Sequence, residues 1–93
     1  MVNRDGPSGK VCSQEIDLHG LIAEEAVFRL EHYLNEAFMA GLPWVRVVHG
    51  KGLGTLRHAT RELLEGHPLV NSFRPGEPSE GGGGVTMVEL MSR

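Results

Sequence analysis

The sequence predicts an α/β two-layer sandwich, ordered β-α-β-α-β-β, with both helices on one face of a four-stranded sheet. Short β-branched or alternating runs stand at 15–20, 44–50, 70–74 and 84–90, and two stretches with helical apolar spacing separate the first three. Ninety-three residues are enough for one domain of that size. Two successive strand–helix–strand crossovers, both right-handed, bring the helices to the same side if the sheet grows in one direction. The other sheet face is left to solvent or a partner.

Each element has a local cause. In "EIDLHG" (15–20), Ile16 and Leu18 alternate with Glu15, Asp17 and His19, which is the period of a strand with one buried face, and Gly20 closes it. From Ala23 to Ala40, Ala26, Val27, Leu30, Leu34, Ala37 and Phe38 recur at spacings of three and four; Gly41 and Pro43 end the helix. "WVRVVHG" (44–50) is short and β-branched. In "TLRHATRELLEGHP", Leu56, Ala59, Leu63 and Leu64 make a second helical stripe that Gly66 and Pro68 terminate. Val70 to Arg74 and "GVTMVEL" (84–90) read as the last strands. Between them "PGEPSEGGGG" reads as a long mobile hairpin loop, because it is too rich in glycine and proline for regular structure. Residues 1–13, rich in Gly, Pro, Ser and charge, read as a flexible leader, which leaves 14–93 as the domain.

Composition excludes some function classes. No apolar run approaches the ~20 residues of a membrane span, and the N-terminus lacks a signal-peptide core. The one cysteine, Cys12, has no partner in the chain, so a reducing cytoplasm fits best. The net charge of −3 argues against indiscriminate nucleic-acid binding, but its distribution is uneven. Residues 44–74 carry Arg46, Lys51, Arg57, Arg61 and Arg74 against Glu62 and Glu65, a local +3, whereas the first helical segment, 22–41, is at −3. The basic segment surrounds "HGKGLGTLR" (49–57).

That stretch has the makings of an anion site. Gly50, Gly52 and Gly54 lack Cβ atoms, so their backbone N–H groups can approach a phosphate, and the following helix adds its positive N-terminal end. Lys51 supplies a mobile point charge and Arg57 a planar fork. A glycine turn that merely packs tightly would have no need of the lysine. The spacing is not that of a Walker loop. Asp17, His19 and His49 are the candidate chemical centre, since a histidine can exchange a proton near neutral pH and a carboxylate can orient it. The competing reading is that Asp17 caps a turn and His19 satisfies a backbone group. His58 and Arg61, three apart on the second helix, could extend a phosphate track or be a solvated face. Arg74, with the glycine-rich loop, could fold over a bound strand. His32 and His67 read as structural, and Trp44 as packing at a strand start.

"IDLHG" at 16–20, "HGKGLG" at 49–54, "LRHATRELLEGHP" at 56–68 and the "GGGGVTMVEL" ending together resemble the Smr (small MutS-related) domain, over about residues 15 to 90. The version it looks most like is fused to the C-terminus of a MutS-like ATPase, although the first motif there often has Arg in place of His19. The resemblance implies a nicking endonuclease acting on DNA or RNA, with those nucleic acids and possibly the rest of a MutS-like ATPase chain as partners. It implies a fold similar to the C-terminal domain of a bacterial translation initiation factor, with a mixed sheet whose last strand runs antiparallel between the second and third. The chain departs from the family at Leu53, commonly Thr, and at Ile22, where Thr would cap the first helix and whose loss costs about 1 kcal/mol.

Two chemical routes are open. In RNA a histidine could activate the 2′-hydroxyl while another protonates the leaving oxygen; in DNA water must attack, and a carboxylate-held Mg²⁺ becomes more useful. Two neighbouring acids make a thin cage for that ion, so the expectation is no required cofactor, or assistance from a divalent cation. The alternative function is a binding module that holds nucleic acid or a ribosomal partner without cutting. A dimerising domain is the third reading, against which Arg46 and Glu89 in the strands argue.

Overall fold

The computed structural model describes residues 12–93. Chain order is β1 (Glu15–Asp17), α1 (Ala23–Met39), β2 (Trp44–Val48), α2 (Thr55–Leu64), β3 (Val70–Pro75), 3₁₀ turns at Pro78–Glu80 and Gly82–Gly84, and β4 (Val85–Leu90). The sheet order is β1-β2-β4-β3, with β1 parallel to β2 and β4 antiparallel to both of its neighbours. The α/β sandwich expected from the sequence is therefore present, and the last strand occupies the place that the resemblance implied.

Side-chain parity explains the layers. Val45 and Val47 of β2 pair with Val88 and Thr86 of β4, so these four point to the same face, and all are at most 1 % exposed. Leu30, Leu34 and Ala37 of α1, Leu64 of α2 and Leu18 close over them as one core. Burying one such Val or Leu is worth about 1.5–3 kcal/mol. Helix α1 starts at Ile22 with no side-chain cap, and Glu24 and Glu25 in its first turn face the positive end of the helix dipole instead. His67, buried after α2, takes the Leu69 N–H on Nδ1 and gives its Nε2 proton to Glu31 of α1, tying the end of α2 to α1.

The structure departs from expectation in three places. Strand β1 stops at Asp17 because the Asp17 carboxylate takes the His19 N–H (3.0 Å) and turns the chain. The N-terminal boundary also moves. Residues 1–11 of the expected leader lie outside the described residues, but Cys12 packs against the core and the Ser13 carbonyl accepts the Tyr33 hydroxyl, so both belong to the domain.

Segment 76–84 is the third correction: it is folded. The Glu77 N–H donates to Glu80 Oε1 (2.8 Å) while the Glu77 carbonyl takes the Glu80 amide (2.7 Å), and Gly76 donates to the Val85 carbonyl (2.9 Å). At Gly81 the backbone is left-handed (φ +116°) and a Cβ would stand 2.5 Å from Val85 Cγ2, so glycine is required by packing rather than by mobility.

The open sheet face is charged and paired. Arg46 donates to Glu15 Oε1 (2.7 Å) and to the Glu80 carbonyl (3.0 Å), and Arg74 grips both oxygens of Glu80 (2.8 and 2.9 Å). That fork holds the Glu80 carboxyl down to about 2. These residues line a groove of about 820 Å³ that also holds Trp44, which is 45 % exposed and only partly packed.

Candidate active site

Strands β1 and β2 run parallel, so their C-terminal ends lie side by side, and the loops leaving them form a pocket of about 290 Å³. His19 and Gly20 line it from the first loop, His49 to Gly54 from the second, and Thr55 and Leu56 from the start of α2.

His19 is 70 % exposed at its side chain, and its Nδ1 stands 2.6 Å from Asp17 Oδ1. The same oxygen already fixes the His19 backbone, so ring and main chain are held by one carboxylate. The hydrogen bonds from the ring and amide of His19 keep the Asp17 carboxyl below its usual range, hence ionised. An ionised carboxylate only accepts, which places a proton on Nδ1 and leaves Nε2 without a partner among the described residues. Asp17 thus caps the turn and holds the His19 ring.

His49 occupies the opposite situation. It is 3 % exposed, its Nδ1 lies 2.9 Å from the Gly50 carbonyl and its Nε2 2.9 Å from Thr86 Oγ1. A carbonyl cannot donate, so Nδ1 carries the proton and Nε2 accepts the Thr86 hydroxyl proton. Burial lowers the His49 pKa, and the charges of Arg57 and Arg61 lower it further, so the ring is neutral at pH 7. Thr86, absent from the sequence-based site, is the residue that positions it; 37 positions separate the two.

The glycine loop differs in detail from its expected form. Gly50 is left-handed (φ +79°), and its amide, like that of His49, donates to the Gly84 carbonyl (3.0 Å each). The Gly54 amide donates to the Lys51 carbonyl (3.0 Å). Of the three glycine amides expected to face an anion, those of Gly50 and Gly54 are therefore already used. Among the described residues, the amides of Lys51, Gly52 and Leu53, and of Thr55, Leu56 and Arg57 in the first turn of α2, donate to no backbone oxygen. The cradle is displaced by one residue and extended into the helix.

The basic residues divide between the two faces. Arg57 folds back so that its Nη2 is 3.6 Å from the Cβ position of Gly54, and its charge and that of Arg61 reach His49. Lys51 stands at the pocket. Arg46 and Arg74 belong to the open sheet face and are paired with Glu15 and Glu80. Arg74 thus lies beside the 76–84 segment on the open face, with its guanidinium engaged by Glu80. His58 is exposed and pairs with Glu62 at 3.3 Å. Among the described residues, no three His, Cys, Asp or Glu side chains converge as a metal site. Glu15 is paired with Arg46 and Asp17 with His19.

The class of protein is thus a two-layer α/β sandwich with two histidines and a glycine-rich loop gathered at the C-terminal ends of its parallel strands. The chain belongs to the Smr domain family, whose model matches residues 16–91. It is 60 % identical over 76 residues to "Endonuclease MutS2" of Thermomicrobium roseum, covering 82 % of this chain and 10 % of that protein. To the protein of the same name in Pelotomaculum thermopropionicum it is 55 % identical over 78 residues, covering 84 % of this chain and again 10 % of that protein. The chain thus spans about a tenth of the length of these curated relatives. The crystal structure of the Smr domain of Thermus thermophilus MutS2 superposes with a TM-score of 0.81 at 47 % identity, over 83 % of this chain and 96 % of that one. YdaL, a stand-alone small MutS-related protein from Escherichia coli, shares the fold (TM-score 0.81, 23 % identity, 98 % of this chain and 82 % of that one). Among the described residues no helix is long and apolar enough to cross a membrane.

Proposed function

We propose that this domain cuts a phosphodiester bond of DNA or RNA, as a segment of a MutS-like ATPase chain, with His19 as the proton-transfer residue. The observation that carries this is the Asp17–His19 pair: a carboxylate fixes Nδ1 at 2.6 Å and leaves an unpartnered Nε2 at the pocket. A phosphate seated on the unpaired amides of Gly52 and Leu53 and the first turn of α2 meets Lys51 and Arg57, which offset charge developing on its oxygens. His19 Nε2 removes the proton from the attacking oxygen, the 2′-hydroxyl in RNA or water in DNA. Its exposure lets it release that proton to solvent, and solvent gives a proton to the leaving oxygen as its bond to phosphorus breaks.

Within this reading Asp17 is a positioning residue, and so is His49. With both of its nitrogens engaged, His49 holds the glycine loop against β4 rather than meeting substrate. Gly50, Gly52 and Gly54 shape the cradle, and Arg61 and His58 continue the basic helix face.

The test incubates the purified chain with supercoiled DNA and with labelled RNA, with and without chelator, beside His19→Gln. Strand breaks that survive the chelator and vanish in the variant support the mechanism. Binding without breaks under every condition leaves the non-catalytic nucleic-acid or ribosome-binding module as the function.

A further inference from the structure

Leu53 is 100 % exposed, the extreme among the large apolar side chains of the described residues. An isolated leucine on a solvated surface is ordinary. This one stands at the tip of a turn closed by the Gly54–Lys51 hydrogen bond (3.0 Å), between left-handed glycines at 52 and 54 (φ +37° and +85°). It lines the same pocket as His19, and Lys51 and Arg57 flank it with no ion pair of their own among the described residues.

The neighbours decide what can cover it. Unpaired amides and cations bring phosphates to this loop, and an aliphatic side chain gains nothing from a phosphate. Beside each phosphate of a nucleic acid stand a sugar and a base. In a continuous duplex the base faces are stacked on one another, so a projecting leucine meets only sugar edges and charge. Where a base is unstacked, its apolar face is free to bury the side chain.

We propose that Leu53 is a specificity-determining residue that packs on the face of an unstacked nucleobase beside the phosphate held by the glycine loop, favouring single-stranded or opened nucleic acid over continuous duplex. The proposal rests on the phosphate-binding reading of the loop given above.

Binding is measured by fluorescence anisotropy with one oligonucleotide as single strand and as duplex, in deoxyribose and ribose forms, with 2-aminopurine as a second signal of unstacking. Leu53→Thr should weaken single-strand binding roughly 10-fold, as expected for losing part of a buried leucine, and duplex binding by no more than about 2-fold. Leu53→Met should stay near the unaltered chain. The salt dependence should not change with either variant, because no cation is removed. Equal effects of Leu53→Thr on both forms, or none on either, overturn the proposal. Lys51→Ala is the control on the underlying reading: it should weaken both forms alike and flatten the salt dependence. Were it to change neither, the loop would not be the phosphate site, whatever Leu53 does.

Discussion

His19 and His49 end neighbouring parallel strands and line one pocket, yet the fold treats them in opposite ways. His19 is 70 % exposed at its side chain, with one nitrogen tied to a carboxylate and the other without a partner among the described residues; His49 is 3 % exposed, with both nitrogens occupied. The difference arises from parity and pairing. Residue 49 continues the inward-facing series Val45 and Val47, whereas Asp17 lies on the outward series and its carboxylate pulls His19 into a turn at the surface. Identical side chains after neighbouring strands therefore stand in unlike settings: one lies exposed at the pocket against a single carboxylate, and the other is used up in building the loop.

The largest expected effect falls on the exposed member. His19→Gln should lower the rate of strand cleavage by about 10²–10⁴-fold, the usual contribution of a positioned acid–base group, while leaving the melting temperature essentially unchanged. Cleavage at the original rate would remove His19 from the mechanism and with it the contrast. The buried member should respond in the other way. His49→Ala leaves a cavity and an unpaired Thr86 hydroxyl, so urea denaturation should show a loss of about 2–4 kcal/mol. A variant as stable as the parent chain would mean that His49 is not structural.

Thr86→Val sharpens the comparison because it changes His49 without touching the pocket. Valine matches threonine in shape but donates nothing, so Nε2 becomes a buried acceptor without a partner, at a cost of about 1–3 kcal/mol. Binding of nucleic acid at saturating folded protein should be kept, since the loop amides do not contact Thr86. If stability is untouched, the hydrogen bond does not position the ring.

Much of this was legible in the sequence. Alternation in "EIDLHG" placed Ile16 and Leu18 on one buried face, the β-branched run "WVRVVHG" marked the second strand, and the crossover rule put both helices on one side of the sheet. The antiparallel strand between β2 and β3 came from the family resemblance, since periodicity says nothing about strand order. What could not be read was long-range pairing. Nothing near His49 announces Thr86, and nothing near Gly50 announces that the Gly84 carbonyl would take its amide. Composition also misled at 76–84, because glycine needed for close packing, as at Gly81 against Val85, looks the same as glycine that marks a flexible loop. Arg74 counted toward the local positive charge, and nothing in the sequence announces that Glu80 would pair with it on the open face.

The smallest effect distinguishes the two histidines by proton count. Burial, with Arg57 and Arg61 nearby, lowers the His49 pKa in the folded chain, whereas the unfolded chain keeps a value near 6.5. As pH falls through about 6.5 the unfolded state takes up a proton that the folded state refuses, so stability declines, and the decline ends once the folded-state pKa is reached. The slope cannot exceed about 1.4 kcal/mol per pH unit for a single group. Asp17, whose pKa is also lowered, acts in a separate window that opens only near the ordinary aspartate value of 3.8 and below. Subtracting the urea-unfolding curve of His49→Gln from that of the parent chain at pH 8, 6.5 and 5 cancels the remaining histidines. The difference should be flat from 8 to 6.5 and fall in the variant's favour by pH 5. A difference that stays flat throughout would mean that the ring charges as freely inside the fold as outside it, which its burial beside Arg57 and Arg61 opposes.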